Sequence, residues 1–134
     1  MNLHLHAQKS IKELKKEFSN SFPFLKIEFF VRSHEAGEAS PLSEELPGTA
    51  TLIEVTGALR EGTLTIDPKD TVAAVEKRLG NEFGLPAQIF RKQKGVWIET
   101  TATDHLTLEE QNQMGKNASA TEHREPIERE MEQE

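Results

Sequence analysis

The chain has 134 residues, 16 basic against 23 acidic side chains, and neither cysteine nor tyrosine. That length suits one domain. The missing thiol excludes a disulfide scaffold, Cys-ligated zinc, an iron–sulfur cluster and a thiolate nucleophile, and no apolar run reaches the about 18 residues of a membrane span.

The elements follow in chain order. Lys9, Lys12, Glu13, Lys15 and Lys16 break up the first twenty residues too often for a signal peptide, so the expected location is cytoplasmic. Leu3 and Leu5 alternate with His4 and His6, the period of a half-buried strand, and Ser10 with Glu13 reads as a capping box. Ile11, Leu14 and Phe18 then form one apolar helical stripe that Pro23 ends. Residues 24–31 are aromatic and β-branched, alternating through Leu25, Ile27 and Phe29, and predict a strand. Residues 33–48 carry Gly37, Pro41, Pro47 and Gly48, a loop long enough to be functional or mobile. Residues 51–56 and 62–67 are read as two strands of a hairpin. Thr71 or Asp70 caps a second helix with the stripe Val72, Val75 and Leu79, which Gly80 or Gly84 stops. Residues 87–92 and 96–100 flank Gln93-Lys94-Gly95 as a second hairpin, and Thr107 caps a short turn over 108–113.

Residues 115–134 read as a disordered acidic tail. From Lys116 onward there are three basic and six acidic groups, and the few apolar residues share no periodic face, too little burial to offset the entropy of ordering. The folded domain is therefore placed at 2–114. Within it, Leu3, Leu5, Ser10, Ile11, Leu14, Phe18 and Phe22 lie 61 positions before Leu64, Ile66, Thr71, Val72, Val75, Leu79 and Phe83, a possible repeat of strand, capped helix and strand. Each unit has oily faces it cannot bury alone, which points to an α+β two-layer sandwich: two helices on one face of a mixed sheet of about five or six strands.

Ile66-Asp67-Pro68-Lys69-Asp70-Thr71-Val72 resembles the strand-to-helix junction of ubiquitin and its β-grasp relatives. Gly84-Leu85-Pro86 and Asp104-His105-Leu106-Thr107-Leu108, with Asn112, resemble that family's later turns in register, so the likeness covers residues 50–112. It implies a ubiquitin-like β-grasp fold and a non-enzymatic protein-interaction or adaptor role. There is no terminal Gly-Gly, so a conjugated modifier is not expected, and residues 24–31 are expected to stand in for the missing closing strand, as in a circular permutation. A ferredoxin-like sandwich is the alternative, and the apparent repeat suits it.

Candidate chemistry is sparse. His4 and His6 share a strand face but lack a third ligand, His34 sits among Glu35 and Glu38 in the long loop, and Asp104-His105 is better used to close a turn. No nucleophile elbow, phosphate-binding loop or zinc-protease motif occurs. No catalytic residue, metal or cofactor is expected. Arg91, Lys92 and Lys94 mix with Trp97 on the second hairpin, while Phe90 and Trp97 are expected to face the core. Phe29 and Phe30 must point to opposite faces, so one of them is expected to be exposed or to lie beneath the loop 33–48, and the edge near Phe30 is read as a contact surface. Arg91, Lys92, Lys94, Trp97 and Phe30 are accordingly the expected contact residues for a protein partner of unknown identity. Net acidity argues against nucleic acid, and a monomer is expected. The alternative is a small enzyme or ligand-binding protein that uses the loop 33–48 and its histidines.

Overall fold

A computed structural model describes residues 1–30, 46–56 and 60–132. Among these the order is β1 (Asn2–Leu5), α1 (Ile11–Ser21), β2 (Leu25–Phe29), α2 (Leu52–Thr56), β3 (Gly62–Thr65), α3 (Val72–Phe83), β4 (Ala87–Gln93), β5 (Val96–Glu99), a 3-10 turn (Thr101–Thr103) and α4 (Leu108–Glu132). Most of the loop 33–48 lies outside the described residues.

Capping chemistry sets the helix starts. The Ser10 hydroxyl accepts the Glu13 N–H while the Glu13 carboxylate accepts the Ser10 N–H, and the same reciprocal pair joins Thr107 and Glu110 at α4. Thr71 caps α3 through the Ala74 N–H, and Gly84 closes it at φ 66°, a left-handed conformation that a side chain disfavours. Residues 51–56, expected as a strand, form α2 instead. Thr51 donates its N–H and hydroxyl to the Glu54 carboxylate at 2.9 and 2.7 Å, so a cap-and-glutamate spacing overrides the β-branched composition.

The fold is α+β, and the expected single mixed sheet is corrected to two antiparallel ones. β1 pairs with β3, and β2, β4 and β5 form a three-stranded sheet in that order. The hairpin between β4 and β5 turns through Lys94 (φ 48°) and Gly95 (φ 83°), the paired positive angles of a type I′ turn. α1 packs on β2, while α3 and α4 pack on β4. Gly115, the residue after the expected domain end at 114, lies against Phe24 and Arg91, and α4 spans Leu108–Glu132. Asn112 of α4 also accepts the Phe24 N–H at 2.8 Å.

The repeat seen in the sequence is matched bond for bond. Ile11 and Lys12 donate their N–H groups to Ala50 and Gly48, as Val72 and Ala73 do to Leu106 and Asp104. Leu52 and Ile53 donate to Lys9 and Ala7, as Leu108 and Glu109 do to Asp70 and Pro68. The bridge between Ser10 and Thr51 corresponds to that between Thr71 and Thr107. Equivalent strands also pair with each other: Leu3 faces its counterpart Leu64 in the β1–β3 ladder, and Ile27 faces Ile89 in β2–β4. Two like halves therefore meet about a pseudo-two-fold axis, and the stripes Ile11/Leu14/Phe18 and Val72/Val75/Leu79 close one shared core with Leu52 and Leu108. Neither half could bury its oily faces alone, which is why the core is common to both.

Candidate functional site

The register of the three-stranded sheet sorts its side chains. Leu25, Ile27 and Phe29 of β2 and Ile89 and Arg91 of β4 point to the helices and are buried. Lys26 and Glu28, Phe90 and Lys92, and Trp97 and Glu99 therefore stand on the opposite, outer face. This corrects the expectation that Phe90 and Trp97 face the core. The alternation of Lys26 and Glu28 with Leu25, Ile27 and Phe29 was visible in the sequence, but only the pairing of β2 with β4 shows which residues stand beside them.

The expected contact residues separate into two groups. Lys92, Lys94 and Trp97 lie on the outer face or in the turn, and Trp97 is 39% exposed next to Val96 at 59%. Arg91 and Phe30, expected at the surface, are buried, 7% and 3% exposed. Arg91 has the opposite parity to Lys92 on β4, so its guanidinium reaches α4 and donates to the Gln111 side-chain oxygen at 2.6 Å. Gln111, fully buried, in turn donates to the Thr103 carbonyl and hydroxyl at 2.7 and 2.9 Å. That network fastens the last helix to the sheet and is closed to a partner. Phe30 is held by its N–H bond to the Pro86 carbonyl, which extends the β2–β4 ladder by one pair.

On the outer face the cations are gathered over aromatic rings. The Lys26 ammonium lies 5.1 Å from the centre of the Phe90 ring and 5.4 Å from that of Trp97, and Lys92 lies 6.0 Å from Trp97. Lys26 and Lys15 share the buried carboxylate of Glu28 at 3.2 and 2.7 Å, so one negative charge serves two positive ones. Lys26 is a member of the patch that sequence reasoning missed, because it lies on a strand far from the hairpin in sequence.

Two other places concentrate charge. Glu76 of α3 accepts the Ile89 N–H at 2.7 Å, and burial, reinforced by the nearby carboxylates of Asp104 and Glu99, raises its pKa to about 7 despite that bond. Its sequence context, a glutamate on a charged helix, carries no signal of this. Glu13, Glu54 and Glu110 are lowered by the hydrogen bonds of their own cap residues. An open depression beside α4 is lined by Leu106, Glu109, Glu110, Gln113 and Met114, with Glu110 already committed to its cap.

His4 meets Thr63 across the β1–β3 ladder at 3.2 Å, and among the described residues no three His, Cys, Asp or Glu side chains stand together as a metal site. His34, Glu35 and Glu38 lie outside the described residues. No protein-family model, curated protein or solved structure matches this chain.

Proposed function

We propose that this chain is a non-enzymatic protein-interaction module of ubiquitin-like, β-grasp kinship, whose contact surface is the outer face of the β2–β4–β5 sheet around Trp97. The observation that carries the reading is an exposed indole with lysines already drawn over its ring. An apolar anchor ringed by charge is the usual composition of a protein contact surface, and ordering the lysines beforehand lowers the entropy cost of binding. The antiparallel pairing of Leu25–Phe29 with β4 is consistent with the kinship, since it lays a strand from the N-terminal side beside the strand that follows the helix.

The test is quantitative capture of proteins from a cell extract by the parent chain and by the triple variant Lys92→Glu, Lys94→Glu, Trp97→Ala. All three side chains lie outside the core, so circular dichroism should show the variant folded. Specific captured proteins should be lost with it; equal capture by both rules the surface out.

A further inference from the structure

We propose, resting on the interaction-module reading, that the outer edge of β5 takes an acidic extended segment of a partner protein as an added strand. In the type I′ hairpin the bonded pairs are Gln93 with Val96 and Arg91 with Ile98, and the Thr100 N–H continues that alternation onto the Ile89 carbonyl at 3.3 Å. The N–H and C=O groups of Trp97 and Glu99 therefore point away from β4, along the edge where, among the described residues, the sheet ends. An edge protected against pairing carries its charges on the edge strand itself. Here β5 offers Val96, Trp97 and Ile98, with one charge at Glu99, and the lysines stand on β4, on β2 and in the turn.

The two faces specify the segment. On the side of Trp97, Lys92 and the Glu28-paired Lys26 supply positive charge, with Lys94 in the adjoining turn and Glu99 at the far end, and among the described residues neither Lys92 nor Lys94 has a carboxylate within ion-pair distance. On the side of the helices, Val96 is exposed and Ile98 half-buried, so that face offers apolar surface. A strand laid on β5 with acidic side chains on the first face and β-branched ones on the second meets both. Nucleic acid fits less well. Its phosphates can accept from the strand N–H groups but offer no donor to the carbonyls that alternate with them along the edge.

Trp97 is the single tryptophan, so its fluorescence reports directly on the site. The full chain is titrated with an eight-residue Val-Glu repeat peptide, a Val-Gln repeat of the same length and a ten-residue oligothymidylate, and amide hydrogen exchange is followed at Trp97 and Glu99. The acidic peptide should change the indole emission saturably and protect both amides. Lys92→Glu with Lys94→Glu should weaken it about tenfold or more, and Glu99→Pro, which removes an outward N–H that the β4–β5 ladder does not use, should do the same. Equal binding of the neutral peptide, tighter binding of the oligonucleotide, binding without amide protection, or no binding of any probe would each overturn the proposal. If extract capture depends on Trp97 while the acidic peptide fails, the interaction surface stands and strand addition falls; if capture is also unaffected, both fall.

Discussion

Glu76 provides the sharpest test of the physical reading. Its carboxyl pKa is raised from 4.5 to about 7, by burial first and by Asp104 and Glu99 after the opposing Ile89 N–H bond. At about 1.4 kcal/mol for each tenfold change in proton affinity, that shift corresponds to a destabilisation of about 3 kcal/mol at alkaline pH. Because the side chain keeps some access to water, about 1–3 kcal/mol is the expected size. The sign follows from the raised folded-state value. Below pH 4.5 both states hold the proton and nothing is lost; between about 4.5 and 7 the unfolded chain releases it first, so stability falls as pH rises and levels off above 7. Glu76→Gln retains an oxygen for the Ile89 N–H and removes the titration. Urea unfolding followed by circular dichroism from about pH 4 to 8.5 should show the variant about 1–3 kcal/mol more stable than the parent at about pH 8 and level with it near pH 4, with Asp104→Asn recovering a smaller part. Parallel stability curves for parent and Glu76→Gln would refute the assignment.

Other substitutions test the packing. Gly115→Ala should destabilise by about 1–3 kcal/mol, since its Cβ would stand 2.7 Å from the Phe24 Cβ and 3.1 Å from the Phe24 carbonyl, a contact that backbone on both sides makes hard to relieve; an unchanged urea midpoint would contradict this placement of α4. Gln111→Leu should cost about 2–4 kcal/mol by leaving a buried guanidinium without its acceptor. Adding Arg91→Met to Gln111→Leu should recover most of the loss, and a double-mutant cycle measures the difference. Leu3→Ala and Leu64→Ala, on facing positions of the pseudo-two-fold pair, should each cost about 2–5 kcal/mol in chemical denaturation; a large cost at one and none at the other would deny the shared core. Gly95→Ala should loosen the β4–β5 hairpin by about 1 kcal/mol because of its φ of 83°, read as a lowered urea midpoint.

The local elements were legible because their determinants lie within one helical turn or one strand period. Ser10 with Glu13 marks the start of α1 and Thr71 that of α3, Gly84 stops α3, and Lys94-Gly95 turns the second hairpin, all through bonds and dihedral angles spanning a few residues. The 61-residue offset was legible for the same reason, since it repeats these local signals. Residues 51–56 show the limit: their composition suits a strand, and the short Thr51–Glu54 signal for a helix prevails once Leu52 donates its N–H to Lys9 and enters the core.

What the sequence by itself determined is therefore the starts of α1 and α3, the turn between β4 and β5, the apolar stripes of those two helices and the duplicated order. Beyond the β4–β5 hairpin, which strands meet was decided only in three dimensions. The alternation along β4 separates Phe90 and Lys92 from Ile89 and Arg91 without saying which pair is inside, because a strand has two equivalent faces until another layer covers one. The packing of α3 and α4 on β4 makes that choice, buries Arg91 against Gln111, and leaves Trp97 with Lys26 and Lys92 on the open face.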